Sequence, residues 1–171
     1  MTNETDECFV GGREYMEITV NNECRMEIPQ GFRVLTEEER NKLSFAKDGE
    51  GICLHDEQRH ILISIGYKKV GLLSFLVKPK DVVKTFEKSI AKAMKSFGYK
   101  LEEFKEKQVG NKCFEGFRYA YSTQGVDMAG ESLIGKSNTT FYYMHVYVRA
   151  TMLDNFDVWN ETLDGVVWLH R

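Results

Sequence analysis

The chain has 171 residues, of which 42% are hydrophobic, 12% aromatic and 29% charged, and its formal net charge is −3. This composition is ordinary for a globular domain, and no apolar run approaches the roughly 20 residues that span a bilayer. We therefore expect one domain over residues 1–171, with residues 1–13 as a flexible or loosely attached N-terminal segment. Because acids stand where an export signal needs a basic start and an apolar stretch, the sequence predicts a cytoplasmic protein.

Neither the cysteines nor the histidines show the spacing of metal ligands. The cysteines lie 16, 29 and 60 residues apart without a C-x-x-C pair: Cys8, Cys24, Cys53 and Cys113. In a reducing compartment we expect free thiols. The histidines form no H-x-x-x-H or H-E-x-x-H motif, so the sequence predicts no metal and no cofactor.

The first third of the chain predicts hairpins around one short helix. The segments "REYMEITV" and "CRMEI" flank the turn "NNE", and "IPQGFRVL" follows as an extended stretch with a turn. Thr36 stands three residues before Glu39, the spacing of a capping box at the start of a helix. The segments "GICLHD" and "RHILISIGYKK" then predict two strands, and the two-residue period buries Ile61, Ile63 and Ile65 on one face.

One amphipathic helix is predicted from Asp81 to Phe97. Apolar residues recur at spacings of 3, 4, 4 and 3 residues: Val83, Phe86, Ile90, Met94 and Phe97. Asp81 is the expected cap and Gly98 the expected stop. The polar face of this helix carries Lys84, Lys88, Lys92 and Lys95.

Charge is distributed unevenly along the chain. Residues 68–100 hold nine lysines against two acids, a balance of +7, whereas residues 1–57 have a balance of −8. A solvated helix face is the common explanation of such lysines, but almost no acids stand at i,i+4 to pair with them. The lysine helix is therefore a candidate surface for an acidic partner protein, and the sequence pI near 5.9 argues against nucleic acid.

The second half predicts an antiparallel meander followed by a closing helix. Strands are expected in "YKLEEFKEKQV", "KCFEGFRYAYS", "ESLIGKS" and "TTFYYMHVYVRA", with "TQGVDMAG" as a loop that exposes Met128. Phe156, Trp159 and Leu163 then share one helical face. These elements together predict a single α+β domain.

The last of these strands has two different faces. Tyr142, Met144, Val146 and Val148 form an apolar face that belongs to the core, whereas the opposite face is amphipathic. With a residue of the neighbouring strand, the amphipathic face gives a candidate ligand face: Tyr119, Tyr143, His145, Tyr147 and Arg149. A helix packed over it and an open pocket are the two alternatives, and helix cover is favoured because pockets are few per protein. His145 with Cys113 or a serine would be a catalytic pair, but no nucleophile motif marks one.

The order of elements resembles the PsbP-like group, which contains the extrinsic photosystem protein PsbP, a Ran-binding Mog protein and bacterial domains of unknown function. The resemblance covers about Ile28 to Leu169 and rests on "IPQGFRVL", the central helix followed by four strands, and the ending "FDVWNETLDGVVWL". It implies an antiparallel sheet of about six or seven strands sandwiched between helices. It also implies a binding or scaffolding role without shared catalytic residues.

We therefore expect a non-enzymatic protein-binding module whose lysine helix recognises an acidic partner, with no nucleic-acid or membrane partner. One alternative is a small-molecule binder or enzyme that uses the ligand face of residues 141–149. Another is an immunity or chaperone-like factor for a secreted effector, in which the acidic first third blocks a basic protein.

Overall fold

The computed structural model describes residues 6–10, 13–43, 50–71 and 76–169. Within these ranges the strands are β1 Asp6–Val10, β2 Arg13–Val20, β3 Cys24–Pro29, β4 Arg33–Val34, β5 Glu50–Asp56, β6 Ile61–Lys69, β7 Lys100–Val109, β8 Lys112–Thr123, β9 Val126–Ser137, β10 Thr140–Arg149 and β11 Val167–Trp168. The helices are α1 Glu37–Lys42, α2 Pro79–Ala93 and α3 Asn155–Asp164.

Two antiparallel sheets organise the chain. The larger has seven strands in the order β4-β5-β6-β10-β9-β8-β7, so that β4 and β7 are its edges. The smaller has the order β1-β2-β3-β11. The predicted α+β fold with an antiparallel sheet of six or seven strands is confirmed, and the opening hairpin of β2 and β3 belongs to the smaller sheet.

The large sheet has a hydrophobic core on each face. Side chains of the small sheet and α3 pack on one face, where Met26, Ile63 and Trp159 are fully buried. On the opposite face α2 packs against β8 and β9, with Val83 and Phe117 buried between them. Because both faces are covered over β8, β9 and β10, these strands bury side chains on both sides rather than alternating between core and water.

The helix ends follow capping chemistry. At α1, Thr36 Oγ1 accepts from the Glu39 amide at 3.2 Å and the Glu39 carboxylate accepts from the Thr36 amide at 2.9 Å, which confirms the capping box. The expected start of α2 at Asp81 was wrong by two residues, because Pro79 fits the first helical turn. Asp81 instead accepts from the Lys78 amide at 3.3 Å from within that turn.

The end of α2 agrees more closely with expectation. The α-helix ends at Ala93 and a 3₁₀ turn continues from Lys95 to Phe97. Gly98 follows with a φ of 68°, a left-handed conformation that favours glycine. The predicted stop at Gly98 is confirmed.

The expected loop at residues 123–130 is wrong, because most of it belongs to β9. The turn is confined to Gln124 and Gly125, whose φ values are 50° and 76°. Gly130 lies under the ring of Tyr119, since a Cβ at this position would stand 2.5 Å from Tyr119 Cζ. The glycine therefore makes room within a strand, and Met128 is half-buried rather than exposed.

Three expectations concern the N-terminus, the thiols and membranes. Asp6–Val10, in the expected loose segment, pairs with β2, whereas residues 1–5 and 11–12 lie outside the described residues. Cys24, Cys53 and Cys113 are free thiols, and the side chain of Cys8 is outside the described part. No helix among the described residues is long and apolar enough to cross a membrane.

A buried carboxylate on β9 connects α3 and the edge strand β7 to the middle of the large sheet. Glu131 is fully buried on β9 and accepts from Trp159 Nε1 of α3 at 2.9 Å. Its carboxylate also contacts three cationic side chains, Arg118 at 3.0 Å, Lys105 at 3.2 Å and Lys107 at 3.6 Å. Burial opposes ionisation of Glu131, but the lysines, the indole N–H and the guanidinium outweigh it and lower its pKa.

We expect Glu131→Gln to lower the free energy of unfolding by about 3 kcal/mol, because it removes the anion and leaves three cations facing one another. Urea unfolding measures the change. Glu102→Gln is the control, since Glu102 is exposed on the edge strand β7, and it should change stability by less than about 0.5 kcal/mol. Equal effects of the two substitutions would contradict this role of Glu131.

The same carboxylate predicts a pH dependence. A carboxylate with a lowered pKa in the folded state stabilises the fold above its unfolded pKa of about 4.3. This stability is lost as the pH falls through the lower folded value. The difference in unfolding free energy between wild type and Glu131→Gln should therefore shrink on acidification below about pH 4.3, and a constant difference down to strongly acidic pH would speak against it.

Candidate functional site

The lysines of α2 lie on its solvent face. Lys84, Lys88 and Lys92 are spaced by four residues along one side of the helix, and Lys95 continues the line in the 3₁₀ turn. All four are exposed, whereas Val83 on the opposite side is buried against the sheet. We call these four residues the lysine face.

The two acids of α2 are engaged elsewhere. Asp81 accepts from the Lys78 amide, and Glu87 accepts from the hydroxyl of Tyr99 at 2.7 Å. Burial and the Glu87 carboxylate raise the pKa of Tyr99. In the described parts of the chain no lysine of the lysine face forms an ion pair, so its positive charge is not neutralised locally.

The candidate ligand face of β10 is divided by α2. Tyr119 and Tyr147 are buried in the core between α2 and the sheet. Tyr143 and His145 lie half-buried at the border of that core, where Phe86 of α2 contacts both rings at centroid distances of 5.3 and 5.7 Å. The helix therefore covers part of the face and leaves part at an opening.

Two residues that the sequence suggested as site residues, Arg149 and Cys113, lie away from Tyr143 and His145. Arg149 is half-buried at the end of β10 and does not line the opening beside His145. Register aligns Phe117 of β8 with His145, because both pair with Ser132 of β9. Cys113 lies four residues before Phe117, and four residues of strand span about 13 Å. The structure thus does not bring Cys113 and His145 together as a catalytic pair.

A polar row crosses the sheet at His145. Register places Cys53 of β5 opposite Ser64 of β6, Ser64 opposite His145, and His145 opposite Ser132 of β9. Sequence reasoning missed Cys53, Ser64 and Ser132. The signal that points to them is the small-residue face of β6, where Ser64 and Gly66 alternate with buried isoleucines.

Hydrogen bonds orient the ring of His145. Its Nδ1 lies 2.7 Å from Ser132 Oγ, which lies 3.1 Å from the hydroxyl of Tyr119. Tyr119 is in turn hydrogen-bonded to Tyr147. A phenol donates more readily than an aliphatic alcohol, so we assign the Tyr119 proton to Ser132 and the Ser132 proton to Nδ1. In this arrangement the proton of the neutral imidazole is on Nε2.

Burial sets the charge of the same ring. It lowers the pKa of His145 from 6.5 to about 4, so the imidazole is neutral at physiological pH. Nε2 has no hydrogen-bond partner among the described residues, and His145 lines the opening beside α2. The arrangement presents one N–H donor to that opening.

The opening is a cleft of about 750 Å³ over β5 and β6. Its floor consists of two cross-strand pairs of small residues, Gly51 with Gly66 and Cys53 with Ser64. These pairs leave space because α2 packs mainly over β8 and β9, on the other half of the sheet. We call this space the β5–β6 cleft.

The described residues offer no metal site. Among them no three His, Cys, Asp or Glu side chains are grouped closely enough to hold a metal ion. Burial raises the pKa of the Cys53 thiol, against the opposing effects of Ser64 and Arg40. A protonated thiol is a poor nucleophile, so Cys53 contributes to the cleft as a small apolar group.

Comparison with solved structures identifies the fold as PsbP-like. The chain resembles cyanobacterial PsbP (CyanoP) from Synechocystis sp. PCC 6803 with a TM-score of 0.64 and 11% identity, covering 99% of this chain and 95% of that chain. It also resembles the Saccharomyces cerevisiae Ran-binding protein Mog1p, with a TM-score of 0.54 and 8% identity, covering 98% and 96%.

A third similar structure is LpqN of Mycobacterium tuberculosis, described as involved in cell envelope biogenesis. Its TM-score is 0.52 at 15% identity, covering 96% of this chain and 90% of that chain. No family model matches the sequence, and no curated protein matches it. At these identities the likeness establishes the fold alone.

We expect His145 to remain neutral at pH 5.5, with its proton on Nε2, and nitrogen NMR of the imidazole measures both properties. Below pH 6.5 the unfolded histidine binds a proton that the folded one does not bind until about pH 4. The unfolding free energy should therefore fall as the pH falls between these values.

Ser132→Ala should weaken the preference for the Nε2 proton, because it removes the hydrogen bond at Nδ1. The control is Ser122→Ala, since Ser122 bonds Asp127 at the exposed end of β8. A protonated His145 at pH 5.5, or equal tautomer ratios in both variants, would contradict the assigned network.

Proposed function

We propose that the protein is a non-enzymatic, cytoplasmic protein-binding module whose lysine face binds an acidic surface of another protein. The observation that carries this proposal is the exposed line of Lys84, Lys88 and Lys92 on α2 and Lys95 in the following 3₁₀ turn, which forms no ion pair with any described residue. A fixed row of like charges favours a complementary surface over isolated anions and accelerates encounter with it.

The acidic first third does not cancel this charge in the described structure. Acids of this segment form ion pairs with bases of the same segment, as in Glu17 with Arg25, Glu38 with Lys42 and Glu39 with Arg33. The excess of positive charge that the sequence shows in residues 68–100 is therefore retained on the surface of α2, which supports electrostatic recognition.

Two further observations support a binding role over catalysis. His145 is neutral and is not paired with Cys113, and the serine that it does contact, Ser132, is fully buried and hydrogen-bonded to Tyr119. Among the described residues no group of side chains could hold a metal ion. One structure of the same fold belongs to a protein named for Ran binding. A scaffold on which strands are fixed by two cores suits the presentation of a helix surface.

The test is charge reversal of the helix. Lys84→Glu, Lys88→Glu and Lys92→Glu together should abolish capture of the proteins that wild type recovers from its native cell at low salt, because attraction becomes repulsion. Lys84→Arg, Lys88→Arg and Lys92→Arg together are the matched control, and they should retain capture because the charge is kept.

Quantitative mass spectrometry of the captured proteins gives the result. Partners of the lysine face should be lost in the Glu variant, retained in the Arg variant and released from wild type as salt is raised. Recovery of the same proteins by all three forms, with no dependence on salt, would remove the proposal.

A further inference from the structure

The β5–β6 cleft has the size and shape of a small-molecule site. Its volume of about 750 Å³ falls within the roughly 300–1,000 Å³ of most ligand pockets. Phe86 and Ile90 of α2 form one apolar wall, and Tyr143 lies between that wall and the floor. A flat apolar body would fit between these rings and the small side chains of the floor.

Charged groups at the cleft are mostly positive. The cleft is lined by three basic residues, Arg40 of α1, Lys68 and Lys69. The acidic residue in its lining is Glu50, which is hydrogen-bonded to Tyr67. Lys68 follows Ser64 and Gly66 on the same side of β6 and is exposed. It forms no ion pair in the described ranges, so it is available to an anion at the rim.

The neutral His145 adds a directional polar contact. Its Nδ1 is hydrogen-bonded to Ser132, and in the assigned tautomer the proton is on Nε2, which has no hydrogen-bond partner among the described residues. A donor held by a fixed chain of hydrogen bonds loses little freedom when it binds an acceptor. The cleft thus combines an apolar wall, an oriented N–H donor and a cationic rim.

We propose that the β5–β6 cleft binds a small organic anion with a planar apolar body, of the class of aromatic carboxylates. The body lies against Phe86, Ile90 and Tyr143 and the carboxylate faces Lys68 at the rim. His145 pairs with Ser64, four residues before Lys68, so its N–H is placed for an acceptor oxygen at the other end of the body. This site is separate from the lysine face, because Phe86 and Ile90 are on the inward side of α2 and the lysines are on the outward side.

Gly66 offers a way to fill the cleft without moving the backbone. A Cβ at Gly66 would lie 3.7 Å from the nearest atom, the carbonyl oxygen of Glu50, which is an ordinary contact. Gly66→Leu therefore places an alkyl group over the floor. The matched control is Gly165→Leu, because Gly165 is exposed beyond α3 and a Cβ there would lie 3.5 Å from its nearest neighbour.

The experiment is an amide NMR titration of the full chain with 1-naphthoate and with 1-naphthylmethanol, its neutral analogue. Naphthoate should shift amides of β5, β6 and α2 and bind at least about fivefold more tightly than the alcohol. Gly66→Leu should weaken naphthoate binding at least about tenfold, whereas Gly165→Leu should leave it unchanged. Lys68→Gln should weaken naphthoate but not the alcohol.

Each contrary result overturns the site. Absence of binding by wild type at millimolar naphthoate, or equal binding by Gly66→Leu and Gly165→Leu, would exclude the cleft. Loss of naphthoate binding in the Lys84, Lys88 and Lys92 charge-reversal variant alone would assign the anion to the lysine face. If Gly66→Leu does not give a folded spectrum, Gly66→Ala and Lys68→Gln decide between these outcomes.

Discussion

The antiparallel pairing of β6 with β10 is the constraint on which the rest of the structure depends. It joins residues 61–69 to residues 140–149 at the centre of the large sheet, with β5 on one side and β9 on the other. This register sets His145 opposite Ser64 and Tyr143 opposite Gly66. A slip of one residue would turn the aromatic and histidine side chains toward α3 and would remove both the polar row and the β5–β6 cleft.

The two faces of the large sheet differ in the side chains that they carry. The face under α3 and the small sheet is filled by aliphatic side chains, phenylalanines, Tyr142 and two tryptophans. The face under α2 holds tyrosines, a histidine and Ser132 in a hydrogen-bonded row, and α2 covers only part of it. The same helix carries Phe86 toward the cleft and lysines toward solvent, so the two proposed surfaces share one rigid element without sharing residues.

The sequence predicted elements well where a local period or cap determines them. The buried isoleucines of β6, the capping box of Thr36 and the stop at Gly98 all follow from interactions within a few residues. The start of β9 was missed because glycine is usually a loop signal in a sequence. Position 130 is instead a glycine inside a strand, because the ring of Tyr119, which is distant in sequence, leaves no room for a side chain.

The candidate site was predicted only in part for a similar reason. The parity of β10 separates Tyr143 and His145 from the core side, but their partners Ser132 and Ser64 come from strands fixed by long-range register. The cleft depends on the lateral position of α2, which no short segment specifies. The lysine face needs only the helical period, and it was visible from the sequence.

The contact of Lys105 and Lys107 with Glu131 has a consequence for self-association. Strand β7 is a ten-residue edge whose outer backbone groups would otherwise template a strand from another molecule. These two lysines point inward to the buried carboxylate, and a continued sheet would have to bury them further from water. The anchor that holds α3 in place thus also protects the protein against edge-to-edge aggregation in a crowded solution.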